Sequence, residues 1–563
     1  MSEFVAESVT DPPTASQQAS HPWADGFARL EAQLAALSDR LNPILVKETR
    51  QALKSRQFGF TLVLLLILCW VVTIGGVAMV GPGIYYSAAG SVLLKAYLVV
   101  LIFPLAVVVP FSAYRSLTTE REENTYDLLR VSTLDPHQVV RGKLGSAAVL
   151  MGVFLSAVAP CVAFTYLLRG VDVLSVGMLL LYITLGSLGL SMVGLFLAAI
   201  TNQKHGQVLV SVCLVALLLF CFLAGISIAW AFLDEGGQLV SDPEFWIGSG
   251  VLISLYATTF ALVYLATVAL TSYRSENRST PLRYAMIAQQ AVFIGWMAVA
   301  WLESFDDDML ALVIVLATIY WYAMGALLTT EVAELSHRVR RQLPQSTLGR
   351  VVLGLFSPGP GSGYLFVVAN VTTVMLIVGC AMGSTYYYRL APNRTVRYDQ
   401  VVIFGLIFWS YVVAYVGIGK LIISTLRRFT PIPGIAGFLI HVLWLLAVSG
   451  IPFVMQISIR TMRNAGYTAL QWGNPFWTFD ELIDGGSSTL GDARLQAMML
   501  VTLALCVFMA NLPAAAREMM QGRVALPSRV AEDDAELHPI EAKPQSPWDA
   551  EATSSGSPDP QPE

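Results

Sequence analysis

Charge is what this sequence has least of. Asp, Glu, Lys and Arg make up 13% of its 563 residues and apolar types 55%, whereas a soluble domain carries about 25% charged residues. That excludes an ordinary water-soluble globular fold, and the mean hydropathy of +0.62 agrees. Paired cysteines are missing too. Cys69, Cys161, Cys213, Cys221, Cys380 and Cys506 fall inside apolar blocks with no CxxC spacing, so they read as small core hydrophobes and not as metal or redox ligands. No GxxxxGK[ST] occurs. The nearest stretch, "GIGKLII", lacks the upstream glycine and the hydroxyl residue, which excludes ATP hydrolysis by a P-loop in this chain. HExxH, GxSxG and paired carboxylates within the apolar blocks are also missing, so no catalytic residue, metal site or cofactor is expected in the chain itself. One histidine, His441 in "GFLIHVLWLL", lies within an apolar block. With no acidic partner in any block, a hydrogen bond between helices is favoured over a proton relay. Residues 1–57 are polar or amphipathic and do not resemble a cleavable signal, so the first apolar block is expected to insert as its own anchor.

What the chain does have is apolar blocks near or above ~18 residues, long enough to cross ~30 Å of hydrocarbon. Twelve candidate spans follow: 58–80, 93–114, 144–168, 174–201, 207–232 and 245–271, then 285–302, 309–328, 365–387, 401–426, 435–457 and 493–512. The fold class is an all-α polytopic membrane protein. Loop charge sets its orientation. Lys47, Arg50, Lys54 and Arg56 precede the first span, "GPGIYYSAAGS" after it is uncharged, and the next loop holds Arg115, Arg121, Arg130, Arg141 and Lys143. Further on, "SYRSENRSTPLRY" and "HRVRRQLPQSTLGR" are basic while "LDEGGQLVSDPEF" and "ESFDDD" are acidic. The alternation places both termini in the cytoplasm of a cell that carries the chain in its plasma membrane. The loop with Arg389, Arg394 and Arg397 departs from it, being basic where an external loop is expected.

The chain divides on the same evidence. Residues 1–22 are Ser/Ala/Pro-rich and residues 513–563 run into an acidic, Pro/Ser-rich end; both are expected to be disordered tails. Residues 58–271 form a six-span domain, with an insert at 115–143, and residues 272–512 a second six-span domain of unassigned role. Residues 23–57 lie between tail and membrane. There Phe27, Leu30, Leu34, Leu37 and Leu41 make one apolar seam, a helix packed on a surface. "NPILVKETRQALKSRQF" then restarts a helix at 43–57, with Asn42 as N-cap and Pro43 in its first turn. Lys47, Arg50 and Lys54 share one face, as in a helix lying in the headgroup plane.

The insert "EREENTYDLLRVSTLDPHQVVRGK" carries two helix-start signals. Thr119 with Glu122 fits a capping box, so a short helix is expected to begin near Glu120; Asp135-Pro136 caps a second, which enters the third span. A helix that ends in a membrane span is a mechanical link, although a solvated loop with no partner reads the same pattern.

This stretch resembles the signature of type-2 ABC transporter permeases, in which a Glu-rich start, a Leu-Leu pair and a Gly-Lys close frame a coupling helix. Glu120, Glu122, Glu123, Thr125, Leu128, Leu129, Gly142 and Lys143 are the matching residues. Asn42, Pro43, Lys47, Glu48 and Arg50 are similarly placed to the family's elbow helix. Asn124 and Thr133 depart from the glycine and proline usual there. The resemblance covers Asn42 to Thr271 and implies the membrane subunit of an export system, driven by a separate ABC ATPase that binds the ATP. It also implies a homodimer or heterodimer of permease chains within the lipid membrane, and no nucleic acid partner. A twelve-span secondary transporter and a non-transporting scaffold on a permease-like fold remain the alternatives. The near absence of midplane charge and the unlike halves weigh against the first.

Smaller features complete the expectations. Ser187, Ser191, Gly194 and Ala198 form a small-residue stripe suited to close helix packing, within a subunit or between subunits. Pro104, Pro110 and Pro160 interrupt helix hydrogen bonding in the second and third spans. Lys95 and Lys420 are expected to snorkel. The stretch "YTALQWGNPFWTFDELIDGGSS" is expected to be a re-entrant or interfacial cap.

Overall fold

A computed structural model describes residues 42–81, 89–123, 134–168, 170–201, 204–273, 275–304, 307–331, 336–341, 346–388, 398–459, 467–484, 490–521, 524, 527–529 and 532, and contains no strand among them. Twelve of its helices are long and apolar enough to cross a membrane. The chain is an all-α multi-pass membrane protein. It falls into two compact units, Met1–Ser272 and Tyr273–Glu563. The seam of Phe27 to Leu41 and most of both expected tails lie outside the described residues.

The first unit opens with α1 (Pro43–Lys54) and α2 (Arg56–Val80), followed by α3 (Gly90–Glu122), α4 (Pro136–Leu167), α5 (Val173–Ile200), α6 (Lys204–Ser241) and α7 (Pro243–Thr271). The caps are as the sequence suggests. Asn42 Oδ1 accepts the Ile44 N–H at 3.0 Å, and Asp135 forms a full capping box with Gln138. The elbow helix stops at Lys54 and not at 57, because Ser55 turns out of the helix and caps α2 through the Phe58 N–H. Asp172 caps α5 by accepting from the Ser175 N–H and hydroxyl, which holds its carboxyl below the usual carboxylate range.

The core of this unit runs along α3. Tyr97, Leu101, Leu105 and Val109 pack with Phe154, Val158, Met192 and Leu195, all buried. Lipid tails are as apolar as these side chains, so close packing and polar satisfaction hold the helices together. The α3–α5 seam shows both. Pro104–Val108 forms a π-helical turn, in which the Val109 N–H bonds the Pro104 carbonyl five residues back. The next such bond would come from position 110, a proline without an N–H. Ser187 of α5 supplies the missing donor, its hydroxyl lying 2.5 Å from the Leu105 carbonyl. Two turns on along α5, a Cβ at Gly194 would stand 2.9 Å from the Pro110 carbonyl oxygen, so only glycine permits this approach. The stripe Ser187–Ala198 is therefore an internal seam. At the other end of α3, Lys95 pairs with the exposed Asp234 of α6.

The second unit comprises α8 (Thr280–Ser304), α9 (Asp307–Leu328), the short α10 (His337–Arg341) and α11 (Thr347–Gly354), then α12 (Pro360–Tyr388), α13 (Tyr398–Leu426), α14 (Gly434–Ser458), α15 (Pro475–Asp484) and α16 (Leu490–Met519). Helix α13 is its centre, packed by α9, α12 and α16. Residues 513–519, expected in the tail, continue α16. Lys420 does not snorkel: it is 4% exposed, with Nζ 5.6 Å from the centre of the Tyr364 ring. His441 is held as expected, its Nε2 lying 2.9 Å from the Thr329 hydroxyl. Residues 467–484 are tied by hydrogen bonds to α13 and α14. Gln471 donates to Gln456 Oε1 at 2.7 Å and to the Pro452 carbonyl at 3.0 Å, while Asn474 reaches the Ser449 carbonyl. Phe476 and, less strongly, Phe479 offer aromatic faces outward. The cysteines divide: Cys69 is buried, but Cys213, Cys380 and Cys506 lie on uncovered faces and are not core residues.

Candidate functional site

One end of the first unit gathers the elbow helix α1, the end of α3 and the start of α4. Helix α3 does not stop at the membrane boundary expected near Tyr114 but runs on for two turns to Glu122, with Glu123 as C-cap. The helix expected to begin near Glu120 is therefore the end of an existing one. The Thr119 carbonyl accepts the Glu123 N–H at 3.0 Å, a helix-continuing bond where a capping box would have required a break. Three glutamates at a helix C-terminus oppose its macrodipole, so a compensating charge is needed.

Lys143 supplies it. This lysine, two turns into α4, has its side chain 1% exposed. Its ammonium stands 3.0 Å from Glu48 Oε1 of α1 and 3.0 Å from Glu120 Oε2 of α3. It donates hydrogen bonds to Glu48 Oε1 and to the Ser116 carbonyl, the latter at 3.1 Å. The contact with Glu120 Oε2 is an ion pair and not a hydrogen bond. Lys47 completes the set, 3.5 Å from the other oxygen of Glu120. Two cations thus balance two carboxylates, and the cluster is neutral in a place where an unpaired charge would be costly.

Backbone geometry brings α1 close enough for this. A Cβ at Gly142 would stand 2.8 Å from Ile44 Cβ and 3.1 Å from the Leu45 nitrogen. A Cβ at Gly145 would meet the Leu45 side chain at 2.8 Å. Asn42, besides capping α1, donates its amide to the Gln138 carbonyl at 2.6 Å. Glycine is required here because backbone faces it. Gly142→Val should accordingly push α1 off α4 and destabilise the unit by about 1–3 kcal/mol, read as a lower thermal midpoint and faster proteolysis near Asn42, whereas Gly152→Ala, with open space around it, should change neither.

Of the residues singled out in the sequence, Asn42, Lys47, Glu48, Glu120, Gly142 and Lys143 meet in one place. Pro43 and Arg50 are on the exposed side of α1, and Glu122 and Glu123 are exposed at the end of α3. Glu120 is turned inward, so it is not part of a free acidic face. Thr125, Leu128 and Leu129 lie outside the described residues, as do Asn124 and Thr133. Sequence reasoning missed Arg121, whose guanidinium donates to the Ala199 and Thr201 carbonyls at 3.0 and 3.1 Å and so closes the C-terminus of α5. It also missed Tyr264 of α7, whose hydroxyl meets His137 Nδ1 at 2.9 Å and Arg141 Nε at 3.0 Å. A basic residue facing a helix end and a tyrosine near a span terminus are common enough that neither stood out.

The end of the insert is thereby tied to four neighbouring helices. No group of three or more His, Cys, Asp or Glu side chains among the described residues could hold a metal ion, and the cluster's own chemistry is that of an ionic joint.

Residues 40–271 match the model of the CcmB protein family, a family of permease components of ABC-type systems. The match covers the first unit and none of the second. No curated protein and no solved structure matches the chain.

Proposed function

We propose that this chain is the membrane permease subunit of an ABC-type exporter, driven by a separate ATPase through residues 115–143. The observation that carries the reading is the Lys143 cluster. It joins the insert's flanks, at Glu120 and Lys143, to the elbow helix at Glu48, so a force on the insert reaches α1, α3 and α4 together. The family match over the same six spans supports it. Glu122 and Glu123, exposed beside residues 124–133, serve to orient the ATPase, whereas Glu120 serves within the joint. The type-2 architecture, pairing of two permease chains and cytoplasmic termini belong to the same proposal. The matched family comprises haem-exporter permease components, which makes haem the first substrate to test.

The test is reconstitution. The chain with the ATPase that co-purifies with it should export substrate from vesicles on ATP addition, and a P-loop lysine variant of that ATPase should abolish export. Substrate movement driven by an ion gradient alone, with no ATPase bound, would favour the secondary-transporter reading. Orientation has its own check: a cysteine placed at Asp135 should label from the cytoplasmic side only. Labelling from outside would overturn the topology.

A further inference from the structure

The second unit contains a glycine-rich turn that the sequence reading passed over: "SPGPGSG", residues 357–363, leading into α12. Its backbone N–H groups point at carboxylates. The Gly359 N–H donates to Glu331 Oε2 at 2.8 Å, and the Gly361 and Ser362 N–H groups donate to Glu518 Oε2 at 2.7 and 3.2 Å. Consecutive N–H groups at the start of a long helix form an anion cradle. The glycines make the room for it, since a Cβ at either Gly359 or Gly361 would stand 2.7 Å from Glu518 Oε2.

Cations surround the turn. Arg283 is fully buried and donates to the Leu355 carbonyl at 2.5 Å, to Ser362 Oγ at 3.1 Å and to Glu331 Oε2 at 2.8 Å. Arg427 donates to the Glu331 carbonyl at 2.6 Å. Lys420, 4% exposed, makes no hydrogen bond through Nζ. Its ammonium lies beside the Tyr364 ring, one turn inside α12, and with Arg283 it acts on the Glu518 carboxylate. Arg283 and Lys420 stand with two carboxylates, Glu331 and Glu518, while Arg427 donates to the backbone carbonyls of Thr330 and Glu331. A buried ammonium with all three donors unused, next to a helix start, lacks the acceptors that would satisfy it.

We propose that the start of α12 is a phosphate-binding site, which the chain's own Glu518 fills as a latch on the end of α16. The Gly361 and Ser362 N–H groups and Lys420 hold the anion, and a phosphate group displaces Glu518. Because Glu518 stands at the last turn of α16, the exchange releases that turn from the start of α12. The phosphate comes from solution or from a lipid headgroup; both present the same oxygens to the same donors.

The experiment compares thermal unfolding of the full chain in neutral detergent, as wild type, E518A and E518A/K420M. Inorganic phosphate is titrated against sodium chloride at equal ionic strength. E518A should unfold several degrees below wild type in chloride and regain most of that loss in phosphate, wild type should move far less, and the double variant should not recover. Nanodiscs containing phosphatidic acid separate the sources: recovery by the lipid but not by free phosphate assigns a headgroup. E518S, with radiolabelled phosphate binding measured directly, is the second variant. Saturable binding by either single variant and its loss with K420M support the site. Equal response to chloride, recovery undiminished by K420M, no recovery or binding with either phosphate source, or variants that unfold equally with and without phosphate overturn it.

Discussion

Lys143→Ala should destabilise the first unit by about 3–5 kcal/mol, the range for removing one partner of a buried ion pair. The reason is what it leaves behind. Glu48 and Glu120 would face each other with side chains only 10% and 11% exposed, and Lys47, 60% exposed and 3.5 Å from Glu120, is too solvated to replace the lost ammonium. Two like charges at that depth repel and are poorly hydrated, so the loss exceeds the net worth of the original pair. The control is the uncharged triple variant Lys143→Met, Glu48→Gln, Glu120→Gln. It removes the repulsion and keeps the volume, and should recover most of the lost stability. Thermal midpoints of the purified variants measure both. The triple variant then separates structure from coupling: it should fold and retain the ATPase, yet export less substrate per ATP hydrolysed. Normal coupling in a folded triple variant would leave the cluster as a purely structural joint.

The spans were legible because lipid allows few alternatives. A block of about twenty apolar residues has to satisfy its backbone internally, so composition alone places it. The same logic placed the caps at Asn42, Asp135 and, in outline, the elbow helix, since each cap is a local matter of one side chain and two backbone groups. What was not legible depends on residues far apart in sequence. Glu120 looked like an exposed helix start because its partners, Glu48's neighbour Lys47 and Lys143, stand 73 and 23 positions away. Lys420 looked like a snorkelling lysine because nothing local shows that α9, α12 and α16 enclose α13. The "SPGPGSG" turn carries no local signal of its role, since the carboxylates that fill it come from Glu331 and Glu518, far off in sequence. Ser187 was seen as a small residue in a stripe, but its hydroxyl has a task set by Pro110 on a different helix. Local propensity and membrane periodicity fix elements, and long-range polar pairing then decides what each charged residue does.

Leu128→Ala with Leu129→Ala should weaken assembly with the ATPase by more than tenfold. Both residues lie between the end of α3 at Glu122 and the cap of α4 at Asp135, a stretch of twelve residues bounded by two fixed helix ends. On the proposed function, a partner that engages this stretch would act on the Lys143 joint through those two helix ends. Apolar anchors are expected to supply most of the docking energy, because burying one leucine contributes roughly 1.5–3 kcal/mol, whereas an exposed ion pair contributes ~0–1 kcal/mol. Truncating two leucines to alanine removes more than the ~1.4 kcal/mol that a tenfold change in affinity requires. The acidic residues then separate by position. Glu123→Gln, at an exposed C-cap, should change recovery little and chiefly lower the association rate at low salt. Glu120→Gln should act differently, costing stability in the isolated chain by leaving Lys143 one charge short. Pull-down of the ATPase at equal membrane levels of each variant makes the measurement, with thermal midpoints as the check on folding. Undiminished recovery by the double alanine variant would move the docking surface away from residues 124–133, and with it the premise that force enters the joint from that side.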